Sequence, residues 1–384
     1  FNLVTADGGS TWYGYEEVNN NALSANYTLW AWGYGGNGLL ANNLSGGNNY
    51  RSSPIQIPGY WSRITTSQGD TYSAVKADKT MWCWGSNSYG QIGDSSTTER
   101  SSPTQVGSDT TWVNSGGGGD TVRGGIKTDG TLWMWGRNDF GTLGLSNRTH
   151  YSSPKQVGTE TNWSTAVWDL GGTPELAMAA IKTDGTLWSW GHIAHGMLGL
   201  NQSTGRTSSP TQIPGTNWST IGGAKYYMMA TKTDGTLWAW GQNDNGELGL
   251  NDRVKYSSPV QIPGTTWSSI GPFCGHSNST YAIKTDGTLW AWGQNAYGQL
   301  ADNSRVYKSS PVQIPGTTWK QATNAGDGPT LAVKTDGTMW VWGGNEGVLG
   351  LNNTTQYSSP VQLPGTSWYQ VIASKSTVFA LQST

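Results

Sequence analysis

Only 12% of the 384 residues are charged and 55 are glycine, a composition that would allow disorder were it not for 23 tryptophans and 17 tyrosines. Disordered segments lack the apolar surface that offsets chain entropy, so this chain folds, with Trp carrying much of its core. A net charge of −2 with a pI near 6.1 argues against a nucleic-acid partner, and no run of about 18 apolar residues offers membrane insertion.

In chain order, the start at Phe1 rather than Met is compatible with a removed leader. Residues 12–27 weakly resemble two strands that recur later, with Ala22-Leu23-Ser24-Ala25-Asn26-Tyr27 aligning to Ala-Ile-Lys-Thr-Asp-Gly. From Thr28 the chain becomes periodic. Trp-x-Trp-Gly occurs seven times, its second Trp at Trp32, Trp84, Trp135, Trp190, Trp240, Trp292 and Trp342, at intervals of 52, 51, 55, 50, 52 and 50 residues. A period of 50 residues with short strand signals is the mark of a propeller blade.

Each unit reads as four short strands. Asp-Gly at Asp129-Gly130, Asp184-Gly185, Asp234-Gly235, Asp286-Gly287 and Asp336-Gly337, degenerate at Asp78-Lys79, predicts type I′ hairpins. Upstream lies a strand such as Tyr281-Ala282-Ile283-Lys284; downstream, Thr-Leu-Trp-x-Trp-Gly places two Trp on one strand face. A further strand is expected to begin at the Pro of Ser-Ser-Pro, where an edge tolerates it, and the last is of the Thr-Trp-Ser-Ser-Ile type. The chain's last residues, Phe379-Ala380-Leu381-Gln382-Ser383-Thr384, stop where the hairpin turn is due, and the missing next strand is Thr28 to Gly33. The fold expected is an all-β seven-bladed propeller with four-stranded blades, residues 28–384, its ring closed by C-terminal strands on the N-terminal blade. Residues 1–27 are expected to form an outer arm with half-blade-like strands. Closure removes sheet edges that would otherwise template aggregation.

The repeat, with Gly-x-Leu-Gly turns at Gly141 to Gly144, Gly196 to Gly199, Gly246 to Gly249 and Gly347 to Gly350, resembles the regulator of chromosome condensation family of seven-bladed propellers. Its Lys-Thr-Asp-Gly-Thr-Leu-Trp-x-Trp-Gly form is more similar to the secreted bacterial and phage-associated branch. The family's founder is an exchange factor for the GTPase Ran that binds chromatin. No insertion here resembles its GTPase-facing wedge, and neither activity carries over.

Candidate functional residues lie off the repeat grid or on its rim. Trp168 stands in an expanded loop, and Phe273 and His276 in Gly271-Pro272-Phe273-Cys274-Gly275-His276; each alternatively covers its own loop. Before Ser-Ser-Pro, most blades place a cation beside Tyr, as at Arg148 with Tyr151, Arg253 with Tyr256, and Arg305 with Tyr307. This rim either meets a partner or guards the outer strands against edge pairing. The Trp pairs read as core, the Lys of Lys-Thr-Asp-Gly as a solvated face residue, and Cys83 and Cys274 as free buried thiols. His192 and His195 come nearest to a metal pair but lack a third ligand. No catalytic, metal or cofactor site is expected, and the Asn-x-Ser/Thr sequons are uninformative in so Asn-rich a chain.

The expected function is a non-enzymatic structural and binding module, extracellular, cell-surface or virion-borne, mediating assembly or attachment. Its partners would be protein subunits of a larger assembly or a surface glycan, with no nucleic acid and no membrane insertion. Homo-oligomerisation would run through residues 1–27. The alternatives are a carbohydrate-binding adhesin or an inhibitor that caps another protein with one face.

Overall fold

A computed structural model describes residues 26–46, 49–65, 70–118, 121–164, 168–169, 177–224, 226–271, 278–324, 328–374 and 377–384. The proposed arm thus lies outside the described residues up to position 25, and Tyr27 already belongs to a strand. The strands form seven four-stranded antiparallel blades. Blades 2 to 7 span 63–105, 112–156, 168–213, 218–262, 267–313 and 319–363. Blade 1 is assembled from both ends: Tyr50–Trp61 and Tyr27–Tyr34 pair with Thr377–Ser383 and Trp368–Ser374. Closure runs in unbroken register from Tyr27↔Ser383 to Gly33↔Thr377, as the repeat pattern at the chain ends predicts.

Blade 6 shows how the repeat builds a blade. Its inner strand is Trp267–Ile270, its second Ser279–Lys284, its third Leu289–Gly293 and its outer Lys308–Gln313. The hairpin between the second and third strands is not type I′. Only Gly287 has a positive φ (76°), while Asp286 does not. The Lys284 carbonyl accepts the Gly287 N–H at 2.9 Å, giving a turn followed by a left-handed glycine. The physical reason lies in the side chain: Asp286 Oδ1 accepts both the N–H (2.9 Å) and the hydroxyl (2.6 Å) of Thr288. This Asx turn braces a three-residue loop, 285–287, the length that takes a type I turn followed by a left-handed glycine. The Thr288 oxygen in turn accepts the Nε1–H of Trp290 at 2.9 Å, so Asp-Gly-Thr-x-Trp is one hydrogen-bonded unit. The same relay runs through Asp78, Asp129, Asp184, Asp234 and Asp336.

The outer strands start earlier than predicted, at Tyr256 rather than Pro259 in blade 5, and Pro259 sits inside the strand. It is tolerated because this is the blade's edge and the pairing skips there, jumping from Ala239↔Val260 to Gly241↔Tyr256. The glycine at the skip is obligatory. Gly293 has φ 94°, and a Cβ there would lie 2.2 Å from the Asn278 carbonyl oxygen.

Blades adhere through layers of apolar side chains and two hydrogen-bonded belts. In the middle belt the second Trp of each Trp-x-Trp-Gly is fully buried and donates its Nε1–H to a carbonyl in the preceding blade's Gly-x-Leu-Gly turn. The seven acceptors are Val348, Leu39, Gln91, Thr142, Met197, Glu247 and Gln299, so the belt closes on itself. In the upper belt, a left-handed Asn or Ser of one blade donates its N–H to the first Ser of the next blade's Ser-Ser-Pro. Examples are Asn251 to Ser309 (2.7 Å) and Ser146 to Ser208 (2.8 Å). Glycine is required in the neighbouring turn, which stacks on this Ser: a Cβ on Gly246 would lie 2.6 Å from Ser309 Cα. Cys83 lies in these layers as a free, buried thiol that burial pushes up to about 12; Cys274 lies outside the described residues. Among the described residues no helix is long and apolar enough to cross a membrane.

Candidate functional site

The up-and-down path of each blade sorts its connections onto two faces. Asp-Gly hairpins and Pro-Gly-Thr turns share one face; the inner-to-second and third-to-outer connections share the other, here the loop face. The hairpin face is largely consumed by structure. Its repeated Lys is not a solvated residue: Lys284 Nζ lies 4.1 Å from the Trp290 ring centre and 4.9 Å from that of Trp267. Lys76, Lys127, Lys182, Lys232 and Lys334 repeat this sandwich, and the Lys182 side chain is 8% exposed. The sequence hides this because the inner-strand Trp is brought over the Lys by a strand pairing, as at Trp267↔Lys284, and not by proximity in the chain. The partner aspartates, Asp129, Asp184, Asp234, Asp286 and Asp336, stay exposed. Their carboxyls are held below the ordinary range by hydrogen bonds from the following Thr and by the nearby Lys charge.

The loop face carries charges of both signs, Glu99, Asp244 and Glu346 among its exposed acids. Arg148, Arg206, Arg253 and Arg305 are all exposed on blades 3 to 6. None has a carboxylate within ion-pair distance among the described residues; Arg305 donates to Gln356 Oε1 at 3.2 Å. Exposed Val254 and Val306 stand beside two of these arginines. The rim tyrosines do different work. Tyr256 donates its hydroxyl to Asp252 Oδ2 at 2.9 Å, which raises its pKa, and Tyr151 accepts from Asn147 Nδ2 at 3.4 Å. Each closes its own loop, while Tyr307 is half-buried. The structure therefore brings Arg148, Arg253 and Arg305 onto one face but not into one pocket with Tyr151, Tyr256 and Tyr307.

Trp168 is placed differently from the sequence expectation. Its backbone forms an inner strand with Asp169, pairing with Ala179 and, in parallel, with Gly117 of blade 3. Backbone pairing on both sides takes it out of the loop and into the sheet. Phe273 and His276 lie outside the described residues.

One groove on the loop face was not foreseen. It has a volume of about 440 Å³ and is lined by His192, Ile193, Ala194, His195, Ser203, Thr204, Gly205, Lys255 and Ser257, between blades 4 and 5. Two departures from the repeat create it. In blades 2, 3, 5, 6 and 7 the third residue after the second Trp is an Asn that ties the loop. Asn243, for example, donates to the Asp252 and Val254 carbonyls and accepts the Leu248 N–H. In blade 4 this residue is Ile193, buried and unable to tie anything, and the loop from Trp190 to Pro210 is one residue longer than that from Trp240 to Pro259. The sequence signal was present in the exchange of Asn for Ile and in the extra residue between Trp190 and Pro210. Among the described residues no three His, Cys, Asp or Glu gather as metal ligands.

Residues 78–121, 129–167, 234–281, 286–333 and 336–381 match the regulator of chromosome condensation (RCC1) repeat. The chain belongs to the RCC1 repeat family. The chain is similar to the Arabidopsis thaliana ultraviolet-B receptor UVR8, 25% identical over 300 residues that cover 76% of this chain and 67% of the receptor. It is also 25% identical over 323 residues to the Homo sapiens E3 ubiquitin-protein ligase HERC2, covering 80% of this chain but 5% of the ligase. The solved structure of Prp20p from Saccharomyces cerevisiae, characterised for binding to Gsp1p and histones, superposes with a TM-score of 0.81 at 17% identity. The overlap covers 97% of this chain and 96% of that one, which shows the seven-bladed fold. These relatives overturn the expected extracellular, cell-surface or virion location: they are a light receptor, a ubiquitin-protein ligase and a histone-binding protein, regulators rather than secreted or virion components.

Proposed function

We propose that the chain is a non-enzymatic RCC1-type propeller that docks an acidic protein partner on its loop face. The observation that carries this reading is the set of exposed loop-face arginines without carboxylate partners among the described residues. Six lysines are withdrawn under tryptophans on the hairpin face, leaving exposed aspartates there, while unpaired arginines stand exposed on the loop face over four adjacent blades. Exposed, uncompensated charge of one sign steers association with the opposite sign and rejects like-charged partners. Arg148, Arg253 and Arg305 are the proposed contact residues, with exposed Val254 and Val306 supplying apolar contact between them. A protein-binding role agrees with the yeast relative, whose partners include Gsp1p and histones. The Trp-rich wording of the repeat supports, as a further proposal, membership of the branch found in bacteria and phages.

The test is binding to immobilised poly-glutamate at low ionic strength. The double variant R253E/R305E should bind at least about tenfold more weakly than the wild type, and added salt should abolish the difference. Equal binding by the variant and the wild type would overturn the reading.

A further inference from the structure

We propose that the groove between blades 4 and 5 is a carboxylate site that seats a glutamate side chain of an acidic peptide segment. The proposal rests on the loop face being the docking face and names one seat within it. Buried Ile193 and Ala194 give the groove an apolar floor suited to the methylene stem of a glutamate. Around them stand donors. Lys255 supplies the cation, and the hydroxyls of exposed Ser203 and Thr204 have no protein partner among the described residues. An imidazole donates an N–H in its neutral as well as its charged form, which adds His192 and His195 to the donor set.

The two histidines are held in place from outside. The His192 ring packs on Phe140 of blade 3 with ring centres 4.9 Å apart, and His195 packs on Tyr226 of blade 5, also at 4.9 Å. His195 has φ 53° and Tyr226 φ 68°, left-handed conformations that bulky residues rarely adopt. Asn37 of blade 1 shares this φ at the position of His195 (53°), whereas Tyr89, Phe140 and Tyr297 in blades 2, 3 and 6 do not. Lys255 already takes a carboxylate here: its Nζ lies 3.2 Å from Asp244 Oδ2, an exposed pair that an incoming glutamate can replace.

The experiment uses the full chain, its histidine ring signals followed by NMR, and an acetylated, amidated hexa-glutamate peptide. The peptide should shift the His192 and His195 signals saturably, whereas the hexa-glutamine peptide should not. I193N, which restores the Asn tie of the other blades, and K255E should each weaken that response at least about tenfold. K255E, on the exposed wall, decides the matter should I193N fold poorly. If peptide binding persists and depends on Arg253 and Arg305 while His192 and His195 stay unmoved, the groove proposal falls and the docking reading stands. Loss of the effect of R253E/R305E overturns the docking reading itself. Displacement by inorganic sulfate at the same concentration as the peptide would also overturn the proposal, since it would mark a general anion site.

Discussion

At the scale of single residues, the repeat uses one position in several ways, and one of those uses is costly. The residue that gives its carbonyl to the next blade's Trp is Gln in blades 2 and 6, and the Gln91 and Gln299 side-chain oxygens accept the N–H of Tyr89 and Tyr297. In blade 5 the residue is Glu247, fully buried, with Oε2 accepting the Asn245 N–H at 2.6 Å and Oε1 without a hydrogen-bond partner. Burial, reinforced by the charge of Asp244, raises its pKa above 4.5. A folded-state pKa above the unfolded one means that the native protein holds its proton longer. The penalty is therefore absent below the unfolded pKa, grows as pH rises from the unfolded pKa to the folded one, and is fully present above it. Glu247→Gln should raise stability by about 1 kcal/mol or more at pH 7.5, the order of one unsatisfied buried polar group. The gain over wild type should shrink toward pH 4. Thermal melts of both proteins across that range check it, and a gain constant with pH would contradict the assignment. Such a residue is invisible to pattern reading, because its burial depends on the blade that covers it. The Lys of Lys-Thr-Asp-Gly was misread for the same reason: the sequence shows its hydrophilicity, not the two rings that enclose it.

At the scale of the strand and the turn, legibility was high for pattern and lower for conformation. The positions of the hairpins followed from Asp-Gly, yet the turn is set by the Asp286 carboxylate capping Thr288 and not by two left-handed residues. The Trp-Gly skip was legible as a repeated string but not as a backbone requirement. Gly293→Ala tests that requirement. Its Cβ would meet backbone and not a movable side chain, with φ 94° held by the ladder on both sides. The expected loss is about 2 kcal/mol or more, the sum of left-handed strain and a forced local shift. Gly46→Ala is the control, since nothing lies within 4 Å of a Cβ there, and it should leave the melting temperature unchanged. Equal effects of the two substitutions would show that the skip relaxes freely. The groove of blade 4 belongs to this scale too. An Asn-to-Ile exchange and one extra residue are legible differences, but their meaning depends on knowing that the Asn amide ties the loop.

At the scale of the whole molecule, closure is what turns seven weakly independent blades into one body. Each blade buries its Trp only against its neighbour, and the middle belt has no first or last member: Trp32 of blade 1 donates to Val348 of blade 7 at 2.9 Å. Blade 1 depends on two strands from the C-terminus, so the chain must meet its own end before the belt is complete. Deleting residues 377–384 should leave the third strand of blade 1 without its partner and expose an open edge, with a broadened, less cooperative melt and concentration-dependent aggregation. Circular dichroism melts with light scattering measure both. The sequence supplies a sharp alternative outcome, because residues 12–27 resemble the two strands that the C-terminus provides. A truncated protein that still melts cooperatively as a monomer would mean that this N-terminal copy can replace the C-terminal one. Removing residues 1–25 from the truncated chain should then abolish folding, whereas the same removal from the full chain should leave the ring intact.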